Sequence, residues 1–331
     1  LSTSLRGSRI AGIGHYCPER VLTNADLEKI VETSDDWIVT RTGIRERRIA
    51  ADDEAASDLA IAASRIALED AGIGPDLLDG IILATVTPDM QFPATACLVQ
   101  DRLGAKNAVA FDLNAACSGF IYGLNTAHAL IASGQMNRVL VIGVEVLSKF
   151  VDWQDRATCV LFGDGAGAVV VEACEAGSGI LGTYMKSDGS LADLLQIPAG
   201  GSRAPLTKDS YEHRDHFIKM KGDGVFKYAV RAMADAALKV LERTGMSLDD
   251  VDFFIPHQAN VRILDAIARR LDIPQEKMVI NLDRFGNTSS ATIPIAYDEI
   301  VKAGKVKPGN VVLLVAFGGG LTWGSVLLRH S

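Results

Sequence analysis

The sequence is short of positive charge, aromatic rings and cysteine, and each shortage narrows what the chain can be. Lysine and arginine number 33 against 41 aspartates and glutamates, a formal net charge of −8. Net charge therefore does not draw this chain to nucleic acid or to an anionic membrane, and neither is expected as a partner. Aromatic residues make up only 6% of the chain, so any aromatic outside the core invites a reason. Five cysteines in 331 residues, with no C-x-x-C pair, are too few and too scattered for a disulfide framework. Taken one at a time, each is expected to be a small buried hydrophobe in a reducing cytoplasm. The six histidines give one close pair, His213 and His216, in a very polar stretch that reads as a solvated loop. No metal is expected there. Leu1–Gly14 lacks the apolar run and cleavage site of a secretory leader, and none is expected. The uncharged run Val311–Leu328 has the length of a membrane span but carries Gly318-Gly319-Gly320 at its middle. Two buried strands joined by a glycine turn account for it.

What is abundant is apolar residue, 48% of the chain, enough for a large core. A single core stops growing beyond roughly 250–300 residues, so two fused halves are expected. The sequence repeats accordingly. A helical stretch Ala56–Ala71 leads to a strand at Gly80–Thr85, as Val225–Thr244 leads to Val251–Ile255. Helix Cys97–Leu103 and strand Ala108–Leu113 answer to helix Arg262–Leu271 and strand Met278–Leu282. Helices Phe120–Ser133 and Ala291–Ala303 then precede strands Arg138–Val144 and Asn310–Ala316. Nearly continuous apolar strands alternating with helices predict parallel sheets covered on both faces. The expected fold is a duplicated α/β architecture in five layers, αβαβα, with halves at residues 1–174 and 175–331. The polar stretch Glu175–Met220 is expected to connect them. Gly163–Gly167 has the wrong spacing for a dinucleotide loop and reads as a hairpin turn.

In open α/β sheets ligands bind beyond the carboxyl ends of strands, and a duplication brings equivalent ends together. Three groups stand at those ends. Ala108–Leu113 runs into Asn114-Ala115-Ala116-Cys117-Ser118-Gly119-Phe120; Val251–Ile255 into Pro256-His257-Gln258-Ala259-Asn260; Met278–Leu282 into Arg284-Phe285-Gly286-Asn287-Thr288-Ser289. A thiol in the first turn of a helix has its thiolate favoured by unpaired N–H groups, as an acyl-accepting nucleophile requires. His257 and Asn287 can donate two hydrogen bonds to one oxygen as charge develops on it. Gly318–Gly320 offers further N–H groups for a second oxyanion. Read one at a time, each of these residues is more often a core or capping residue, and the glycines a simple turn. A cysteine hydrolase would also use Cys and His, with His as base and a path for water.

These residues, with Thr33–Ile38, Arg41–Arg47, Phe162–Gly167 and Phe317–Gly320 followed by Thr322-Trp323-Gly324, resemble the β-ketoacyl-acyl-carrier-protein synthase III family nearly end to end. That family, of thiolase-like fold, starts bacterial fatty-acid synthesis. The resemblance implies a decarboxylative Claisen condensation of a short acyl-CoA, acetyl-CoA foremost, with malonyl-acyl-carrier protein through an acyl-Cys117 intermediate. It implies Cys117, His257 and Asn287 as the triad, and Gly319 with Cys117 as the oxyanion hole. Trp37, Arg41, Arg156 and Asn260 match CoA-binding positions. Phe92 matches an aromatic that closes the acyl pocket across a homodimer interface. Lys227 matches a basic residue near the tunnel mouth, and with Arg262, Arg269 and Arg270 on the helix after His257 it makes the expected carrier docking patch. No cofactor or metal is implied, and the cytoplasm is the expected location. Elongating condensing enzymes carry a second histidine where Asn287 stands, which favours the CoA-primed class.

Overall fold

The apolar runs assemble into two stacked sheets in the computed structural model, which describes residues 6–331. The leader expectation for Leu1–Gly14 thus lies partly outside the described residues. The first sheet has the order Gly7–Tyr16, Asp164–Cys174, Arg138–Val146, Gly80–Ala84, Val109–Leu113. The second runs Phe253–Pro256, Val311–Gly318, Thr322–Arg329, Ile180–Ser187. Helices Gly119–Ala132 and Thr292–Lys302 lie between them, sharing one core with Ile82 and Val141 of the first sheet and Val312 and Leu314 of the second. Alternate strand residues face outward. Ile81 and Leu83 pack with helix Ala56–Asp70, and Leu313 and Val315 with helix Gly222–Thr244. Period-two alternation with both faces apolar is what a sheet covered on both sides demands. The five-layer αβαβα fold follows.

Four expectations need correction. The sheets are mixed: Gly80–Ala84 is parallel to both its neighbours and Phe253–Pro256 to Val311–Gly318, whereas every other pair within the two sheets is antiparallel. Strands such as Thr322–Arg329 return through a short turn without a crossover helix, and only an antiparallel partner can be reached that way. Met278–Leu282 is no strand. It makes one bridge, Phe254 to Met278, and then enters the short helix Leu282–Phe285. The Gln258 side-chain amide takes the place of a strand neighbour, donating to the Val279 carbonyl at 3.0 Å and accepting from Asn281 N–H at 3.1 Å. Gly163–Gly167 is not a hairpin turn, because the strand Asp164–Cys174 begins inside it. Its glycines make room for a helix: a Cβ at Gly167 would lie 2.6 Å from Pro294 Cβ. Finally, Glu175–Met220 is more than a connection, since it supplies the edge strand Ile180–Ser187.

The glycine turn in Val311–Leu328 is as expected, with Gly318 paired to Thr322 across it. Among the described residues no helix is long and apolar enough to cross a membrane. All five cysteines are free; Cys117 and Cys159 are buried, but Cys97 is exposed, contrary to the expectation for it. It sits on helix Thr95–Leu103 beside the sheet's edge strand, with its thiol 3.7 Å from the Ala110 carbonyl. His216 stacks against Tyr211 and Phe217, at ring separations of 4.6 and 4.0 Å.

Candidate active site

Cys117 follows the parallel strand Val109–Leu113 and opens the helical run that becomes Gly119–Ala132. The turn that presents it is strained, with Ala116 at φ 47°. The second half repeats this turn, with Ser289 at φ 49° ahead of helix Thr292–Lys302. A non-glycine residue in this region costs roughly 1–2 kcal/mol, so holding two of them takes firm contacts. Each turn is braced by an asparagine. Asn114 Oδ1 accepts from Ala116 N–H at 3.3 Å, and Asn287 Oδ1 from Ser289 N–H at 2.8 Å. The duplication seen in the sequence therefore reaches the hydrogen bonds of the site.

The bond to Ser289 decides what Asn287 can do. Its amide oxygen is occupied, so the NH₂ group is the part free for a ligand. The Asn287 backbone is in turn clasped by the first half, through Leu161 carbonyl at 2.9 Å and Gly163 N–H at 3.1 Å. His257 leaves strand Phe253–Pro256 with its N–H on the Val315 carbonyl at 2.8 Å. The residue is 2% exposed, and Nδ1 lies 2.8 Å from Thr292 Oγ1. Burial holds its pKa down to about 3, so the imidazole is neutral.

Cys117, His257, Asn287 and Asn260 line one narrow cavity of about 90 Å³, walled farther out by Phe226. Cys117 also borders a second cavity of about 450 Å³, which Gly319, Val86, Leu147 and Ile218 help to line. The thiol thus stands where two cavities meet. A glycine is required beside it: a Cβ on Gly318 would lie 2.6 Å from the Cys117 nitrogen and close off its N–H. Two bonds lash the glycine turn to the cysteine turn, Ser118 Oγ donating to Thr322 O at 3.0 Å and Thr322 Oγ1 donating to Ala115 O at 2.8 Å.

The thiol differs from its sequence-based expectation. Burial pushes the Cys117 pKa up to about 12, with the neighbouring Ser289 side chain opposing the rise and the Glu145 carboxyl adding to it. The helix start does not outweigh desolvation, so the resting group is the thiol. Glu145 was not foreseen at all. It is fully buried at the end of strand Arg138–Val146 and accepts from Thr85, Val86 N–H, Thr87, Ser289 and Ser290 at 2.8 to 3.3 Å. Burial pushes its pKa up to about 7 despite those donors. It ties the strand ends of the first half to the Ser289 turn of the second. An acid ending an apolar strand run, Val144-Glu145-Val146, was the available signal.

The remaining candidates lie around this centre. Trp37, on helix Asp35–Thr42, has the Arg41 and Arg156 guanidinium carbons 4.5 and 4.7 Å from its ring centroid. Arg156 also donates to the Glu32 carbonyl at 2.9 Å. Arg47 of the same charge-rich segment is instead buried, donating to Leu22 and Val160 carbonyls and to Asn24. Asn260 caps helix Val261–Leu271, its Oδ1 accepting from Arg262 N–H at 2.9 Å, which leaves its NH₂ for the cavity. Arg262, Arg269, Arg270 and Lys227 are exposed, and Arg262 lies over the Phe226 ring, 5.8 Å from its centroid, beside the outer cavity wall. Phe92 is 86% exposed, so it is not an ordinary core phenylalanine.

Residues 111–189 match the family described as 3-oxoacyl-[acyl-carrier-protein (ACP)] synthase III, and residues 241–330 its C-terminal counterpart. The chain is 55% identical over 322 residues to a β-ketoacyl-[acyl-carrier-protein] synthase III of Caldanaerobacter subterraneus, covering 97% of each chain. It is 54% identical to one of Symbiobacterium thermophilum, covering 98% of each. The crystal structure of 3-oxoacyl-[acyl-carrier-protein] synthase III from Aquifex aeolicus superposes with a TM-score of 0.90 at 53% identity, covering 98% of this chain and all of that one. A priming β-ketosynthase of the R1128 polyketide pathway gives a TM-score of 0.91 at 35% identity, over 100% of this chain and 98% of that one.

Proposed function

The chain belongs to the β-ketoacyl-acyl-carrier-protein synthase III family of condensing acyltransferases, and on that premise we propose that it joins a short acyl-CoA, acetyl-CoA foremost, to malonyl-acyl-carrier protein. One observation carries the reading. A buried thiol, a neutral imidazole and an amide with its NH₂ free border one cavity, and the thiol alone also borders the wider second one. The narrow cavity suits an extended thiol arm and the wider one a short acyl chain.

The reaction follows from these groups. Cys117 sulfur attacks the thioester carbonyl, and the oxyanion sits on the N–H groups of Cys117 and Gly319. The thiol proton leaves with CoA, so acylation needs no outside acid. Malonyl thioester then enters, and its carbonyl oxygen accepts from His257 and Asn287 while carbon dioxide departs. The resulting carbanion attacks acyl-Cys117 and expels the cysteine thiolate, which takes a proton from solvent to return to the resting thiol. Trp37, Arg41 and Arg156 meet the nucleotide end of CoA, and the Asn260 amide meets its arm.

Intact-mass analysis after mixing with a panel of acyl-CoAs tests this directly. The expected result is one stoichiometric acyl adduct on Cys117, acetyl among the fastest, discharged on adding malonyl-carrier protein. An adduct that water alone discharges at the same rate would instead make the protein a thioester hydrolase.

A homodimer is part of the reading. Strand Val109–Leu113 ends its sheet with one neighbour, and Val109 is 58% exposed; an unpaired edge suits a second copy. Phe92 then reaches the partner's acyl pocket. The basic patch at Lys227, Arg262, Arg269 and Arg270 receives the acidic carrier despite the net charge of −8. Local positive charge acts mainly on association rate. Arg262→Glu is therefore expected to raise KM for malonyl-carrier protein several-fold and flatten its salt dependence. Acylation by CoA substrate without carrier should change little. Equal losses with both substrates would place Arg262 in the tunnel and move the docking patch elsewhere.

A further inference from the structure

Glu145 is fully buried, and every group that meets it is a neutral donor. Its two oxygens are held differently. Oε2 takes the Thr87 hydroxyl at 2.8 Å and the Val86 N–H at 3.1 Å. The Thr87 oxygen already accepts from Val146 N–H at 2.8 Å, which leaves its one proton for the carboxylate. Oε1 meets the Ser289 hydroxyl at 3.0 Å and the Ser290 hydroxyl at 3.2 Å. Ser290 has a closer acceptor, the Ala84 carbonyl at 2.9 Å. Among the described residues Ser289 Oγ has no oxygen acceptor besides Glu145, so its single proton points at Oε1. What Ser289 offers elsewhere is lone pairs. It shares the lining of the wider cavity with Cys117, and its side chain neighbours the sulfur. A thiol can give its proton to Ser289 Oγ, whereas a thiolate has to draw the serine proton away from the carboxylate.

From this arrangement, and resting on the condensation proposed above, we propose that Glu145 is the base for acylation and works through Ser289. As Cys117 attacks, its S–H proton passes to Ser289 Oγ and the Ser289 proton passes to Glu145 Oε1. The sulfur bonds to the thioester carbon, and the carbonyl electrons move to the oxygen held by the N–H groups of Cys117 and Gly319. When the bond from that carbon to the CoA sulfur breaks, the proton returns through Ser289 and leaves on CoA. The site carries one negative charge at every stage, so no second charge has to be buried. Ser289 touches the reacting sulfur; Glu145 acts through it from behind, positioning the hydroxyl and taking its proton. Burial pushes the Glu145 pKa up to about 7, so the base is present above that pH and is lost as pH falls through it. The strand end Thr85–Thr87 and the Ser289 turn bring only hydroxyls and an N–H to the carboxylate. Asp164, on the adjacent strand, is turned to Ser148 and the Ala50 N–H, and His257 is held down to about 3. Cys117 is the titratable group left facing Glu145.

Alkylation of Cys117 by iodoacetamide, followed by intact mass as a function of pH, reads the relay without any substrate. In the unaltered protein the rate should climb through about pH 7 and then level. Glu145→Gln keeps the shape but accepts no proton. It should lose that rise, and its acylation by acetyl-CoA should fall roughly 10²-fold, the lower end of what a positioned base contributes. Carbon dioxide release from malonyl-carrier protein should stay within about threefold, because it uses the His257 and Asn287 donors. Ser289→Ala removes the hydroxyl and leaves the acid, and the first half already holds an alanine in the equivalent strained place, Ala116. It should match Glu145→Gln in both readouts, and it decides the matter if the glutamine variant fails to fold. Glu145→Asp, an acid again, should recover part of the rise. A folded Glu145→Gln or Ser289→Ala protein that keeps the rise and the acylation rate would overturn the proposal. Equal losses of acylation and decarboxylation with the pH profile unchanged would also overturn it, making the carboxylate a clamp on the Ser289 turn only. A rise that both variants abolish, in a protein that no acyl-CoA acylates, would uphold the relay and remove the condensation reading instead.

Discussion

Cys117→Ser is expected to abolish acyl transfer from CoA, by roughly 10³-fold or more, on the scale of nucleophile loss in other acyl-transfer enzymes. The reason lies in the surroundings of the sulfur. A buried group with its thiol pushed up to about 12 depends on intrinsic nucleophilicity and on losing its proton as the thioester is attacked. A serine hydroxyl at that place is harder still to ionise and a weaker nucleophile toward a thioester. The fold should survive, since the change is nearly isosteric and Ser289, which already meets the Cys117 sulfur, can bond the new hydroxyl. The measurements are pre-steady-state acyl adduct by mass and a melting curve. A tenth of the activity in a folded variant would remove Cys117 from its role.

Much of this site could be read before any coordinates, for physical reasons that differ by residue. Cys117 was legible because small residues flank it where an apolar strand gives way to a helix. His257 and Asn287 were legible only through the internal repeat, which aligns their strand ends with that of the cysteine. The structure then bears out the layers and most helix positions to within a few residues. Strand direction was not legible, because nothing in an apolar run such as Asp164–Cys174 says which neighbour it joins. The false strand at Met278–Leu282 fails for a related reason: its would-be ladder partner is a side chain, Gln258, 21 and 23 residues away in sequence from the groups it bonds. Glu145 and Thr292 escaped because each acts through contacts that only folding creates. Thr292 touches a histidine 35 positions earlier, and Glu145 a serine 144 positions later. Side chains that touch the reacting atoms leave a mark as residue types at strand ends; those that hold them from behind are ordinary serines, threonines and acids in sequence.

His257→Ala and Asn287→Ala are expected to separate the two half-reactions. The amide presents its NH₂ because Ser289 N–H occupies its oxygen, and the imidazole, kept neutral by burial, is the second donor in the proposed reaction. Neither belongs to the pair of backbone N–H groups proposed to hold the acylation oxyanion. Each substitution should therefore leave acylation of Cys117 measurable while lowering malonyl decarboxylation by roughly 10²–10³-fold, the usual result of deleting one oxyanion donor. Donors that share one oxygen act as a unit, so the double variant should lose less than the product of the single losses. Asn287→Asp sharpens the test. A carboxylate keeps the bond from Ser289 N–H, and with it the turn, but has no proton to give when ionised. It should fall with the alanine variant in decarboxylation while its melting temperature stays near that of the unaltered protein. The readouts are carbon dioxide release from malonyl-carrier protein and acyl adduct by mass, taken on the same preparations. If either alanine variant decarboxylated normally while losing acylation, the roles of the two oxyanion sites would have to be exchanged, with the His257 and Asn287 pair serving the acyl-CoA carbonyl and the glycine turn the malonyl one.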